Sequence, residues 1–290
     1  MSISRNSRDE LPNTYIVEDR TNEEEMTRLQ IQDKMITASM GGTLPEQADL
    51  ASVCSMLDVG CGTGGWLIQV ARTHPDISRL VGIDVNEKML EIARTEAASQ
   101  QESSRVDFRS MDVLRKLDFP DASFDLVNQR FALSYLRTWD WAHVLGEYQR
   151  VVQPGGIVRV TECSIPESNS AALNRLNDLL IEAFANAGHF SAPERDNVID
   201  ELASKLHQAG IRNIQTRPYT IEYLPGTPEL EIFIEDGKHV LRTFLPFFRK
   251  WAHVPEDYDA IRQQAYQDMQ QPDFKGTWKL LTAWGNTMTT

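Results

Sequence analysis

The stretch Met56-Leu57-Asp58-Val59-Gly60-Cys61-Gly62-Thr63-Gly64-Gly65-Trp66 decides how the rest of the chain is read. An apolar run reaches an acid, enters a glycine-dense turn and continues into Trp66-Leu67-Ile68-Gln69-Val70-Ala71, a helical pattern. Glycine lets backbone approach a ligand where any Cβ would clash, and the start of the following helix offers unpaired N–H groups. A strand, a glycine turn and a helix in that order is how an α/β fold builds a nucleotide-type site.

Working outward, the strand–helix rhythm repeats. Cys54 to Val59 reads as the first strand, and Leu80-Val81-Gly82-Ile83-Asp84-Val85 as the second. Asn86 can cap a helix whose Met89, Leu90, Ala93 and Ala97 recur at helical spacing. Val106 to Asp112 alternates as a third strand, and Phe124 to Gln129 makes a fourth. Trp141, Leu145, Tyr148 and Val152 form one helical stripe that ends at Pro154-Gly155-Gly156, before a fifth strand, Ile157 to Glu162. This alternation implies an α/β fold, a doubly wound and mostly parallel sheet with helices on both faces.

At the N-terminal end, Thr21-Asn22-Glu23-Glu24 has the form of a capping box, which starts a helix running to about Thr37. Beyond Glu162 come a helix through Leu173, Leu176, Leu180 and Phe184, a second from Asn197 to Gln208, and an extended run from Ile211 to Leu224. A mostly helical stretch then reaches about Gln271, and Gly276 to Trp284 reads as a last strand. We expect one domain in three parts: a tail and cap helix (1–40), a nucleotide-binding core (41–165), and a part that completes the sheet and carries helical lid insertions (166–290).

Composition narrows the function. The formal net charge of −13 repels phosphate backbones, and no basic-aromatic patch offsets it. No apolar run approaches the roughly 18 residues a membrane helix needs. The first ten residues have no apolar segment behind their positive charges and are expected to be a disordered tail, not a signal peptide. Three cysteines, none in a C-x-x-C pair, argue against a disulfide framework or structural zinc and suit a cytoplasmic protein. The expected partner is a small molecule, with neither nucleic acid nor membrane, and the protein is expected to be a monomer or homodimer.

The glycines alone leave the nucleotide open. Gly60, Gly62 and Gly65 satisfy a dinucleotide pattern, whereas Gly60, Gly62 and Gly64 satisfy that of S-adenosyl-L-methionine (SAM) enzymes. Asp84, at the end of the second strand, suits a ribose in either cofactor. The downstream stretches separate the two readings. Leu57 to Gly64, Val81-Gly82-Ile83-Asp84, Ser110-Met111-Asp112-Val113, Phe124-Asp125-Leu126-Val127 and Val152-Gln153-Pro154-Gly155-Gly156 occur in order at suitable spacing. In this the chain resembles the class I SAM-dependent methyltransferases of the bacterial small-molecule type. The resemblance covers roughly Leu57 to Glu162.

That resemblance implies a seven-stranded sheet, SAM as cofactor and S-adenosyl-L-homocysteine (SAH) as product. It implies roles residue by residue. Gly60, Gly62 and Gly64 pass under the methionine portion, whose carboxylate the following helix terminus favours. Asp58 faces the ammonium; Asp84, with Val85 beside it, takes the ribose diol. Asp112 accepts from adenine N6 beside Met111, and the Val113 N–H meets a ring nitrogen. The backbone at Asn128 and Gln129 accepts from the ammonium. Related bacterial enzymes close a tyrosine-containing segment and an Arg-Leu-x-x-Gln helix over the cofactor, which points to Tyr15, Arg28 and Gln32 here.

Methyl transfer from a sulfonium is an in-line displacement, so the enzyme mainly has to align the reactants and exclude water. It needs no metal, and no ligand cluster is spaced for one. A hydroxyl acceptor would benefit from a general base. His189, between two lid helices, is the first choice, ahead of His239, His253, Glu162 and Tyr135. The aromatic run Phe233, Phe244, Phe247, Phe248, Trp251 and Tyr258 fits either lid packing or a pocket for an aromatic or lipophilic acceptor. Two other readings keep the glycine turn: a SAM-binding protein that runs a non-methylating reaction or acts as a binding module, and an NAD-dependent oxidoreductase.

Overall fold

The computed structural model describes residues 23–47 and 49–289, with side chains from Met26 onward. Tyr15, Thr21 and Asn22 lie outside the described residues. The helices are α1 (Glu23–Ser39), α2 (Gly65–Thr73), α3 (Glu87–Ser99), α4 (Trp141–Val151), α5 (Ala171–Ala187), α6 (Asn197–Gln208), α7 (Pro228–Thr243), α8 (Leu245–Trp251) and α9 (Tyr258–Met269). The strands are β1 (Ser55–Val59), β2 (Arg79–Asp84), β3 (Val106–Ser110), β4 (Phe124–Arg130), β5 (Val152–Cys163), β6 (Glu167–Ser168), β7 (Arg212–Tyr223) and β8 (Gly276–Asn286).

The sheet runs β3-β2-β1-β4-β5-β8, with β7 on the other edge of β8. Strands β1 to β5 are parallel, and β8 is antiparallel to both β5 and β7. The seven long strands are those the resemblance implies; the two-residue β6 is an addition that extends the β5 side of β8. Order reverses at β1, which lies between β2 and β4, so the carboxyl ends of β1, β2 and β4 flank the crevice where open α/β sheets hold ligands.

Alternation along the strands sends side chains into two separate cores. Met56, Leu80, Leu126 and Phe108 pack with Trp66, Leu67 and Val70 of α2 and Leu90 and Ala93 of α3. Leu57, Val59, Val81, Val127 and Val160 point the other way, to Val144 and Leu145 of α4 and Leu202 and Leu206 of α6. Both faces are therefore covered, as parallel strands require.

Local chemistry sets the element ends. The Asn86 side chain accepts from the Lys88 and Met89 N–H groups, capping α3. Gly188 at φ +89° terminates α5, and Pro246 sits in the first turn of α8, where its missing N–H costs nothing. The Pro154-Gly155-Gly156 turn appears as a register shift in β5 between its pairings with Phe124 and Leu126. Among the described residues no helix is long and apolar enough to cross a membrane.

Candidate active site

The glycine turn is shaped by what crowds it. Gly64 sits at φ +73°, and a Cβ there would lie 2.6 Å from Phe108 Cζ and 2.8 Å from the Ala93 Cβ. Gly65 carries no such constraint; its nearest neighbour would be Asp33 Oδ2 at 3.1 Å. The third glycine of the pattern is therefore Gly64, which lets α2 close against β3 and α3. At Gly60, φ is +69° and a Cβ would lie 2.6 Å from Tyr135 Oη. A bare backbone surface is left there beneath a cavity.

That cavity has a volume of about 710 Å³ and opens over the carboxyl ends of β1, β2 and β4. Arg28, Gln32, Asp58, Gly60, Gly62, Asp84, Val85, Met111, Asp112 and Val113 all line it. The sequence separates these residues by up to 85 positions (Val113 − Arg28), and the sheet gathers them at one edge. Asp84 ends β2 and accepts from the N–H of Gly62 at 3.0 Å and of Asn86 at 2.8 Å, which ties the glycine turn to the second strand. Asp112 accepts from the Leu114 N–H at 3.0 Å and pairs with Arg115 at 3.4 Å.

Asp58 is buried at the end of β1 and accepts from Asn128 Nδ2 at 2.7 Å. Burial pushes its pKa up to about 7, against the opposing pull of Arg130 and of the Asn128 hydrogen bond. Behind it a polar chain crosses the sheet. Arg159 Nη1 donates to Asn128 Oδ1 at 2.6 Å, and Arg159 Nε pairs with Glu46 at 2.5 Å, with both side chains out of contact with water.

Four expected site residues stand elsewhere. Gly64 packs against Phe108 and is not part of the lining. Asn128 and Gln129 are fully buried behind the lining: Asn128 braces Asp58, and Gln129 accepts from the Tyr148 hydroxyl. β4 is an interior strand, so these backbone groups are consumed by its ladders with β1 and β5. His189, the expected base, is placed away from the cavity. Its ring is buried against Phe184 and Phe247, its Nδ1 lies 2.9 Å from Leu136 O, and it does not line the cavity. His239 and His253 are not in the lining either. Glu162 is enclosed, accepts from the Ala132 N–H at 2.7 Å, and has its pKa raised to about 8 by burial; it fastens the turn after β4 and does not face the cavity.

The structure adds residues that the sequence reading passed over. Arg28 and Gln32 both reach the Asp236 carboxylate of α7, so α1 is held across the cavity mouth by one acid. Arg130, the residue after Gln129, lines the cavity, pairs with Asp33 of α1 and lies 5.0 Å over the Trp66 ring. Its place at the carboxyl end of β4 was the available signal. The aromatic run divides: Phe233 and Phe244 line the cavity, while Phe247, Phe248 and Tyr258 are core. Leu173, Leu180 and Phe184 of α5 and Ile232 and Val240 of α7 line the same cavity.

A methyltransferase-domain family model matches residues 56–156. A demethylmenaquinone methyltransferase of Bacillus licheniformis is 31% identical over 175 residues, covering 57% of this chain and 73% of that protein. One of Lactiplantibacillus plantarum is 36% identical over 121 residues, covering 42% and 50%. Among solved structures, the YcgJ protein of Bacillus subtilis has a TM-score of 0.55 at 17% identity, over 87% of this chain and 99% of that one. The Haemonchus contortus phosphoethanolamine N-methyltransferase 2 bound to SAM also gives 0.55, at 16% identity, over 94% and 59%. The structural likenesses carry the fold, and the 31% relative carries the kinship. The chain belongs to the class I SAM-dependent methyltransferases.

Proposed function

We propose that this methyltransferase transfers the methyl group to a lipophilic or aromatic small molecule, held in the compartment between α5 and α7. The observation that carries this reading is the lining itself. Leu173, Leu180, Phe184, Ile232, Phe233 and Phe244 give the cavity a broad apolar wall, which favours an acceptor with apolar surface. The curated relatives are named for demethylmenaquinone, but the alignment spans 57% of this chain, so the acceptor class is argued from its own walls.

On this reading Asp84 takes the ribose diol, Asp112 and the Val113 N–H take the adenine, and Asp58 meets the ammonium. SAM, when bound, supplies an electrophilic methyl on a sulfur that leaves without protonation. The chain's part is to align the acceptor, through the apolar walls, and to exclude water through α1, which Arg28 and Gln32 hold against Asp236. We read the whole chain as one domain, with α1 and α7 to α9 as its cover.

The test is methyl transfer from labelled SAM to a panel of acceptors. Label should enter lipophilic aromatic compounds and not amino acids or phosphoethanolamine. Label confined to the polar acceptors would overturn the assignment.

Asp58 gives this reading a pH signature. In the free protein its pKa is about 7, so below that pH a bound ammonium must displace a proton. Affinity for SAH should fall as pH drops from 8 to 6, by up to about tenfold per unit below the pKa. Stability moves the opposite way. The raised pKa favours the fold at low pH, and that contribution is lost as pH rises through about 7. Asp58→Asn should flatten both dependences. Calorimetric titration with SAH at the two pH values checks the first, and thermal melts check the second.

A further inference from the structure

Helix α5 turns one face to the cavity: Leu173, Asn177, Leu180 and Phe184, which fall at i, i+4, i+7 and i+11. Three of them are apolar and the fourth carries an amide, although Asn177 is only 9% exposed. The chain just beyond β5 sets how that amide lies. Its Nδ2 donates to the Pro166 carbonyl at 2.8 Å, and a carbonyl can only accept, so the nitrogen is on that side and Oδ1 on the other. Oδ1 receives no hydrogen bond from the described residues and is not sealed into the core. Nor does Pro166 depend on this amide, because Arg195 donates to the same carbonyl. An amide in an apolar wall is costly unless both of its ends are paired, and a ligand in the cavity can pair this one.

We propose that Asn177 selects the methyl acceptor by a hydroxyl group: Oδ1 receives the O–H of a lipophilic molecule that carries one. The inference rests on the lipophilic-acceptor reading above and narrows it. An amide oxygen only accepts, so its ligand must bring the proton. A protonated amine would bring a charge as well, to which Leu173, Leu180 and Phe184 offer no partner. The uncharged O–H of a phenol-like ring meets both conditions. Its ring lies on the apolar side chains, and its hydroxyl meets the one polar side chain of this helix face. A site built to pair a hydroxyl rejects an analogue of the same shape that lacks it, because the polar group is then left without a partner.

Equilibrium dialysis of the SAH complex against 1-naphthol and 1-methylnaphthalene, which differ by a hydroxyl for a methyl, reads this directly. Asn177→Leu should raise the Kd for 1-naphthol about tenfold while that for 1-methylnaphthalene, and that for SAH, stay within about twofold. Asn177→Asp keeps an oxygen and removes the donor to Pro166, so its Kd for 1-naphthol should stay within about threefold of wild type. A purely structural tie to Pro166 predicts that both variants lose affinity, and for both probes alike. That pattern would overturn the inference. So would an Asn177→Leu protein that binds 1-naphthol as well as wild type does. A wild-type complex that binds neither probe would defeat the lipophilic-acceptor reading and this inference with it, a different failure read from the unmutated protein.

Discussion

Asp84→Ala is expected to weaken SAH binding by about 100-fold or more while leaving the protein folded. The Asp84 carboxylate accepts from the N–H groups of Gly62 and Asn86 and lines the cavity. Two charge-assisted hydrogen bonds to a ribose diol, at about 1.5–3 kcal/mol each, set the scale of the loss. The glycine turn also loses its tie to β2, which adds to the effect. Asp112→Ala should cost far less, about tenfold, because that carboxylate is partly open to water and is already engaged with Arg115. Calorimetry with SAH, alongside a circular dichroism melt, measures both. An Asp84→Ala protein that binds SAH within threefold of wild type would remove Asp84 from the site.

Arg159→Ala should lower stability by about 3–5 kcal/mol, because it leaves the Glu46 carboxylate charged and enclosed without its partner. Burial raises the Glu46 pKa, but the Arg159 guanidinium, helped by hydrogen bonds from the Glu46 backbone and Gln47, brings it below its ordinary value, so the acid is held ionised chiefly by its ion pair. For a chain of this size such a loss lowers the melting midpoint by roughly 5–8 °C. Cofactor affinity should fall with it, since Arg159 orients the Asn128 amide that supports Asp58. Replacing both partners, Arg159→Met with Glu46→Leu, should restore most of the stability, because well-packed apolar pairs often match a buried ion pair. It should not restore cofactor affinity. A single Arg159→Ala variant that melts like wild type would contradict the role assigned to this pair.

These two residues show where the sequence was legible. Asp84 was readable because its placement in the cavity depends on a local pattern: a strand, an acid at its end, and a capped helix after it. The same holds for Asp58, Asp112 and the glycine turn, all of which follow strands whose apolar alternation marks their ends. Arg159 was not readable. In the sequence it is a polar position in the strand Ile157 to Glu162, and only the arrival of Glu46, 113 residues away, makes burial there tolerable.

The lids fail for the same reason. His189 lies between helices after β5, where a base could stand, but its ring is claimed by Phe184, Phe247 and the Leu136 carbonyl, contacts that tertiary packing alone creates. Phe233 and Phe248 look alike in sequence, and one faces the cavity while the other faces the core. Asn128 and Gln129 were placed correctly at the end of β4 but one layer too shallow, because the paired ladders on both sides had to be known first.

The position of SAH in a crystal structure of its complex tests the central claim most directly. The account predicts the ribose hydroxyls on Asp84, the adenine beside Asp112 and Val113, and the sulfur with its open side toward Leu180, Phe184 and Phe233. SAH bound away from Asp84, or with the sulfur turned from that apolar compartment, would contradict it.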